Sequence, residues 1–347
     1  MINGVNFFVR IRGFILFAGL FLTLNLYGQE NKVKELVYQG TELHDQGRFQ
    51  EAVDKYTEAL KIDRNSSLAH YELSYTYMVM GRYDDALKEC KAVIKQKNGN
   101  EEGAYIVMGT SLDLSGEPEK AIKAYQKGLK KFPDSNLLNY NVALTLYNQK
   151  EYDKAEKAAI RAIEAKPRHA SSHIILSAIM QAKGSRIQSV LPIYYSLMLE
   201  PDSKRAATNF SQLRKMLDKG VSREDENKIN VTVEISAIKD NDFGPAEMML
   251  SMLSASKYEE SNKTRNDMEQ FVDLTKSLFS FLGEYKKAHK GFWWDFYVTR
   301  LYNLEETNNL EAFCYYISHT GNPALVNSWI DSNRDRMQQF QDWMKTE

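Results

Sequence analysis

The residues best placed for chemistry are two histidines one helical turn apart, His169 and His173. Side chains four positions apart share a helix face, so the pair could supply two ligands to a metal ion. No third ligand lies nearby in the sequence, and His169 follows Pro167 at an expected helix start. The pair therefore fits packing better than coordination, and we predict no metal site.

A second candidate is the run Asp240-Asn241-Asp242, which has the composition of the start of a calcium loop. Pro245 stands where such a loop needs glycine, and Ser251 stands where it needs the closing glutamate. We interpret the run as a solvated turn and helix cap. The sequence also lacks the phosphate-loop, dinucleotide, HExxH, GxSxG and CxxC motifs. We expect no catalytic residue and no cofactor, with an enzyme of unfamiliar site in the C-terminal region as the alternative.

Charge and composition narrow the classes of partner. The 45 basic residues nearly cancel the 46 acidic ones, and no run of five like charges occurs, so we expect no nucleic-acid partner. A content of 43% hydrophobic and 12% aromatic residues indicates a folded chain rather than a disordered one. Cys90 and Cys314 each lie inside an apolar helical pattern, which predicts two separately buried thiols rather than a disulfide.

The N-terminal segment differs from the rest of the chain. Arg10 and Arg12 precede an uncharged apolar run from Phe14 to Leu26, and Gly28 precedes the polar start. This pattern predicts a secretory signal peptide over residues 1–28. The run is shorter than the roughly 20 apolar residues of a membrane span, although retention of residues 13–27 as a membrane anchor is the alternative. We expect an exported protein, periplasmic in a bacterial source, that contacts the membrane only if the anchor is retained.

Small residues recur along the chain at intervals close to 34 residues, which indicates a structural repeat. One column holds Gly40, Ser74, Gly109, Ala143 and Ser177, and another holds Ala52, Ala86, Ala121, Ala155 and Ser189. Seven residues after the first column comes a turn position, at Gly47, Gly81, Gly116, Lys150 and Gly184. Proline ends the second helix of three units, at Pro133, Pro167 and Pro201. The columns predict pairs of antiparallel helices.

This pattern of small residues, turn and second small residue resembles the tetratricopeptide repeat. The resemblance covers about half of the chain, as five units over residues 33–203. Unit five matches least well, because Pro192 falls inside its second helix. Residues 204–220 are expected to form a capping helix over the last unit. The resemblance implies an all-α solenoid of helical hairpins that acts as a non-enzymatic scaffold for a protein or peptide partner.

In this family the first helices of successive repeats line a concave groove, at the second, fifth, ninth, twelfth and thirteenth repeat positions. Carried over, these positions give Tyr71, Tyr75, Met78, Ile106, Thr110, Tyr140, Leu144, Tyr147 and Ile174. The fifth positions hold no Lys or Asn, so the family's clamp for a chaperone's C-terminal carboxylate is absent. We expect a groove for an extended or helical apolar segment. The alternative is that these side chains pack against adjacent helices or against the chain's own C-terminal region.

Residues 221–228 are polar and charged, which predicts a linker to a mainly helical C-terminal domain over residues 229–347. Degenerate repeat hairpins are one interpretation of this domain. The alternation of Val231, Val233 and Ile235 makes a short strand an alternative to a helix in that segment.

The densest aromatic cluster of the C-terminal region contains Trp293, Trp294 and Tyr297. The two adjacent tryptophans cannot share one narrow helix face. They therefore form a candidate patch for a peptide or glycan ligand, and a packed core or interface is the alternative.

Overall fold

A computed structural model describes residues 28–225, 228–233, 242–259 and 264–346. All of the expected signal peptide except Gly28 lies outside these residues, and so do Asp240 and Asn241. Within the described ranges, no helix is long and apolar enough to cross a membrane.

Between residues 28 and 199, all of which are described, the chain folds into ten α-helices arranged as five hairpins. They are α1 (residues 28–45), α2 (Phe49–Ile62), α3 (Ser67–Val79), α4 (Tyr83–Gln96), α5 (Glu101–Leu114), α6 (Pro118–Leu129), α7 (Asn136–Asn148), α8 (Tyr152–Ala165), α9 (Ala170–Ala182) and α10 (Arg186–Leu199). Consecutive helices pack against each other from α2 to α6 and from α8 to α10, and the first helices α3 and α5 of neighbouring hairpins are also in contact. The all-α class and the helical-hairpin architecture are confirmed.

Every hairpin turns at the position that the sequence predicts. The turn residue has a left-handed φ between 62° and 83° in all five units, with Lys150 in the place that glycine occupies elsewhere. The next amide donates to the carbonyl five positions back over 2.8–3.0 Å, as Arg48 does to Leu43 and Arg82 does to Tyr77. This Schellman bond closes the first helix of each unit.

The first column of small residues exists because a bulky side chain of the second helix lies against it. A Cβ at Gly40 would stand 2.4 Å from the Tyr56 ring, and one at Gly109 would stand 2.1 Å from the Tyr125 ring. Both tyrosines are buried, with at most 1% of their surface exposed. Where the second helix offers a smaller residue, as Cys90 opposite Ser74, the column accepts a serine. The repeat thus encodes a close approach of the two helices in each hairpin.

The chain divides into two compact units, with the boundary between Asn141 and Val142 inside α7. This differs from the expected division near residue 220, because the last repeats are grouped with the C-terminal region. In the first unit, the cores lie between successive hairpins. One is built from residues that include Leu36, Val53, Tyr56 and Leu73, and the next is built from Cys90, Val93, Ala104 and Val107.

The second unit continues from the repeats into helices and a strand pair. Its further elements are α11 (Ala206–Leu217), β1 (Val221–Asp225), β2 (Lys228–Val231), α12 (Gly244–Ser256), α13 (Asp267–Tyr285), a π-helical segment (Trp293–Val298), α14 (Thr299–Glu306), α15 (Leu310–Ile317), α16 (Pro323–Ser332) and α17 (Arg334–Thr346). Helix α11 occupies the expected capping segment and packs on α10.

The expected linker over residues 221–228 is corrected by the structure. Strand β1 pairs with β2 in an antiparallel ladder, with Val221 opposite Val231. Most side chains of both strands are exposed. A ribbon with two solvated faces accepts the same polar residues as a linker, so composition alone does not distinguish the two.

Helix α10 is the centre of the second unit. Every residue from Arg186 to Met198 is buried, and the helix contacts α9, α11, α12, α15 and the π-helical segment. The helix runs through Pro192 without ending. The C-terminal region therefore packs around the last repeat hairpin instead of forming a separate domain.

Both cysteines are buried free thiols, as the sequence predicts. Burial raises the pKa of the Cys90 thiol to about 12 and also raises that of Cys314. Neither is therefore a ready nucleophile.

Candidate partner-binding surface

The first helices of the first unit carry a row of exposed apolar side chains. On α3, Leu68, Tyr75 and Val79 follow the i, i+7, i+11 spacing of one helix face. Leu114 on α5 and Leu137 on α7 are also exposed, and the five residues have between 39% and 58% of their surface open to solvent. We call these five residues the apolar row. Large exposed apolar side chains that share one helix face, as the three on α3 do, are typical of interaction surfaces.

Tyr71 and Met78, which the sequence assigns to the groove, lie deeper than the apolar row. A Cβ at Gly103 would stand 2.5 Å from the Tyr71 ring, so this glycine lets the ring fill the space between α3 and α5. Both residues pack against the buried cluster that contains Val93 and Val107. Burial raises the pKa of the Tyr71 hydroxyl. These two side chains form the floor beneath the apolar row.

Tyr75 is the predicted groove residue of the first unit that is most open to a partner. Its ring centroid lies 5.2 Å from the ring of His44, which also contacts Phe49 at 5.1 Å. His44 Nδ1 is 2.8 Å from the Thr76 hydroxyl, which fixes the imidazole. Burial lowers the pKa of His44, so the ring beside Tyr75 is kept neutral near pH 7. An aromatic side chain held in this way loses little conformational freedom on binding.

The remaining predicted residues of the first unit are half-buried. The Thr110 hydroxyl is 3.1 Å from the Tyr125 hydroxyl, so this bond serves the third hairpin itself. Ile106 and Tyr140 present only part of their side chains to solvent. They can add contact area to the apolar row but not a large exposed anchor.

The second unit contains the predicted residues Leu144, Tyr147 and Ile174, and all three are half-buried. The Tyr147 ring lies 5.9 Å from the ring of Tyr152, across the turn of the fourth hairpin. Tyr147 is therefore partly used for packing within its own hairpin.

Four members of the apolar row are not among the predicted groove residues: Leu68, Val79, Leu114 and Leu137. They occupy the second and thirteenth repeat positions, which belong to the same set as the predicted residues. The repeat register could therefore have found them, whereas the difference in exposure between them and Tyr71 depends on packing.

The charge beside the apolar row is acidic. Glu72 is half-buried on α3, and burial raises the pKa of its carboxyl, with a further rise from the nearby Asp45. No basic side chain occupies the fifth repeat position of any unit. This surface is therefore unsuited to a free carboxylate and favours an apolar segment.

The candidate aromatic patch lies largely inside the second unit. Trp294 is 1% exposed and stacks on Phe243 with ring centroids 4.5 Å apart. Tyr297 is fully buried, whereas Trp293 is half-buried and stacks on Tyr297 at 5.6 Å. A ligand would have to displace these packed rings to reach two of the three residues, so we do not place the binding site there.

His173, one of the two histidines considered as metal ligands, forms a hydrogen bond through each of its ring nitrogens. Nε2 lies 2.7 Å from the Pro167 carbonyl, and Nδ1 lies 2.6 Å from the Tyr297 hydroxyl. A carbonyl only accepts, so Nε2 donates to it and Nδ1 accepts from Tyr297. Burial lowers the pKa of His173 to about 4. No group of three or more His, Cys, Asp or Glu side chains within the described ranges could hold a metal ion.

Comparison with known proteins agrees with the repeat pattern. Family models described as tetratricopeptide repeat match residues 43–107 and 107–170. The DnaJ homolog subfamily C member 7 homolog of Schizosaccharomyces pombe is 25% identical over 194 residues, which are 51% of this chain and 41% of that protein. The Hsp70-Hsp90 organising protein of Plasmodium falciparum is 28% identical over 137 residues, 38% of this chain and 23% of that protein. The chain thus spans less than half the length of either relative.

Among solved structures, a thermophilic TPR protein of Thermus thermophilus aligns with a TM-score of 0.45 at 18% identity. The alignment covers 53% of this chain and 98% of that one.

Proposed function

We propose that this chain, whose residues 43–170 belong to the tetratricopeptide-repeat family, is a non-enzymatic scaffold that holds a partner protein on its first helices. Tetratricopeptide repeats bind protein or peptide partners through the extended surface that their stacked hairpins create. The observation that carries the proposal is the apolar row, because its side chains remain exposed after each hairpin has buried its own core.

The partner that fits is an amphipathic segment with one apolar face. Leu68, Tyr75 and Val79 repeat along α3 over about three helical turns. A partner helix with apolar residues at i, i+3, i+4 and i+7 can lay its face on such a row. Tyr75 provides a rigid aromatic contact, the type of residue that dominates binding energy at interfaces.

We also propose that the protein is exported. The proposal is supported by Arg10 and Arg12 followed by the uncharged run from Phe14 to Leu26. Fractionation of the native host, followed by N-terminal sequencing, tests it. Recovery outside the inner membrane with a new N-terminus near residue 29 supports a cleaved signal, and recovery in the cytoplasm with the N-terminus intact contradicts export.

The scaffold proposal is tested by affinity capture with residues 29–347 and a triple variant, Leu68→Ser, Tyr75→Ala and Val79→Ser. These side chains are exposed, so the changes remove apolar contact area without opening the core. The matched control is Ile62→Ser, which removes an exposed apolar side chain at the end of a second helix.

Partners are identified by mass spectrometry, and the folding of each variant is checked by circular dichroism. We expect a partner that the wild type and the Ile62→Ser control retain and the triple variant loses. A partner held equally by all three forms would show that the apolar row does not bind it.

A further inference from the structure

A cavity of about 300 Å³ lies in the second unit, and none of its lining residues belongs to the apolar row. Its walls come from α11, α12 and α13 and from the residues that directly follow or precede them. This volume is at the lower end of the range for small-molecule sites, which extends from about 300 to 1,000 Å³. The cavity is therefore large enough for a compact ligand and too small for a folded partner.

Arg214 gives this cavity an unbalanced positive charge. The side chain is half-buried, and its guanidinium carbon lies 4.9 Å from the centre of the Phe271 ring. None of the carboxylates that the structure describes forms an ion pair with it. The three other cations of the wall are in ion pairs: Lys257 with Asp218 at 2.9 Å, Arg265 with Asp273, and Lys276 with Glu305 at 3.5 Å. Arg214 is thus the cation of this group that retains its capacity to bind an anion.

The stacking of Arg214 also suits recognition of an anion. A guanidinium that lies over an aromatic ring keeps its N–H donors in its own plane, where two of them can bind one carboxylate or phosphate. A charge that is partly removed from water gains more from such a partner than a charge on the open surface. Phe271 is itself buried, so it holds the guanidinium in place at the wall.

The wall also has an apolar part beside its polar side chains. Leu217, Leu253 and Leu274 line the cavity together with Phe271. Inorganic phosphate would leave these side chains without contacts, whereas an anion with a hydrocarbon body would cover them. The arrangement therefore selects for a molecule that is charged at one end and apolar at the other.

We propose that this cavity binds a small organic carboxylate with a compact apolar body, whose carboxylate pairs with Arg214 and whose body packs on Leu253 and Leu274. This binding site does not depend on the partner-binding surface. Its ligand would bind without a covalent step.

Isothermal titration calorimetry of residues 29–347 with 3-phenylpropionate tests the proposal. Inorganic phosphate and the uncharged 3-phenylpropanol serve as the comparison ligands. We expect saturable binding of 3-phenylpropionate and at least about ten-fold weaker binding of both comparison ligands, because the alcohol lacks the charge-assisted bond and phosphate lacks the apolar body. Absence of saturable 3-phenylpropionate binding, or tighter binding of phosphate, would overturn the proposal.

Variants locate the site. Arg214→Gln should weaken 3-phenylpropionate binding at least about ten-fold, and Ser277→Trp should abolish binding by filling the cavity. Lys215→Gln, which removes an exposed charge from the same helix outside the cavity wall, should bind like the wild type. If Arg214→Gln fails to fold, Ser277→Trp still decides the location. Unchanged affinity in a folded Arg214→Gln or Ser277→Trp protein would place the ligand elsewhere and contradict the proposal.

Discussion

The second unit should depend strongly on one buried ion pair, between Arg186 at the start of α10 and Glu247 on α12. The two side chains are 7% and 4% exposed, and Arg186 Nε donates to Glu247 Oε2 over 3.0 Å. The guanidinium also donates to the Lys219 and Glu247 carbonyls and to the Ser251 hydroxyl, at 2.6–2.8 Å. Glu247 Oε1 accepts the Ile187 amide at 2.7 Å, so the carboxylate also caps the N-terminus of α10.

Glu247→Gln keeps the size of the side chain but leaves the Arg186 charge buried without its counter-charge. Breaking a buried pair in this way costs about 3–5 kcal/mol, because the remaining charge is not resolvated. Replacing both residues by apolar ones, as in Arg186→Met with Glu247→Leu, removes both charges and should recover much of that loss. The double variant is the matched control. It loses the same ion pair but leaves no unpaired charge, so it separates the cost of the buried charge from the loss of the contact.

Urea denaturation followed by tryptophan fluorescence measures this effect within the second unit. All four tryptophans, at positions 293, 294, 329 and 343, belong to that unit. We expect a lower midpoint for Glu247→Gln and a partial return toward the wild-type midpoint for the double variant. A cost below about 1 kcal/mol for Glu247→Gln, or a double variant less stable than the single one, would refute the argument from the buried charge.

Two further predictions concern the repeat and a buried histidine. Gly109→Ala would bring a Cβ to 2.1 Å from the Tyr125 ring and should cost about 1–3 kcal/mol by overpacking. Urea unfolding followed by circular dichroism measures it, with Ser74→Ala in the same column as the milder control; equal costs would contradict the steric reason. Burial lowers the pKa of His173 from 6.5 to about 4, so the unfolded chain binds its proton first as pH falls. Stability should then decrease between about pH 6.5 and 4, by up to about 3 kcal/mol for this group. A His173→Phe variant should lose that part of the pH dependence in urea titrations, and an unchanged slope would show that other groups cause it.

The repeat could be predicted from the sequence because its determinants are local. Each determinant acts within one hairpin. The determinants are a left-handed turn residue, a small residue opposite a bulky one, and a proline after the second helix. Lys150 shows the limit of this reasoning, since the register and not the residue type places the turn there.

The second unit was harder to predict because its contacts are distant in sequence. The continuous apolar character of α10 indicates burial on all sides, but it does not say that α12, α15 and the π-helical segment provide the cover. The burial of Trp294 was hard to predict for the same reason, because the ring stacks on Phe243, which is distant in the sequence. Adjacent tryptophans cannot share one narrow helix face, and here one is buried and the other is half-buried.

The position of the candidate surface was predicted from the sequence, but the exposure of its individual side chains was not. The family register placed Tyr71 and Tyr75 in the same groove, and the structure separates them into floor and exposed contact because the Tyr71 ring lies against Gly103. Exposure of Leu68, Val79, Leu114 and Leu137 likewise depends on which neighbours leave them uncovered.

Site-specific photocrosslinking in the native host tests the central claim most directly. A photoreactive phenylalanine analogue replaces Val79 in one form of the full chain and Ile62 in another, both of which are exposed apolar positions. We predict that the Val79 position forms one dominant crosslinked product with a partner protein and that the Ile62 position does not. The same product from both positions, or none from Val79, would contradict a partner held on the apolar row.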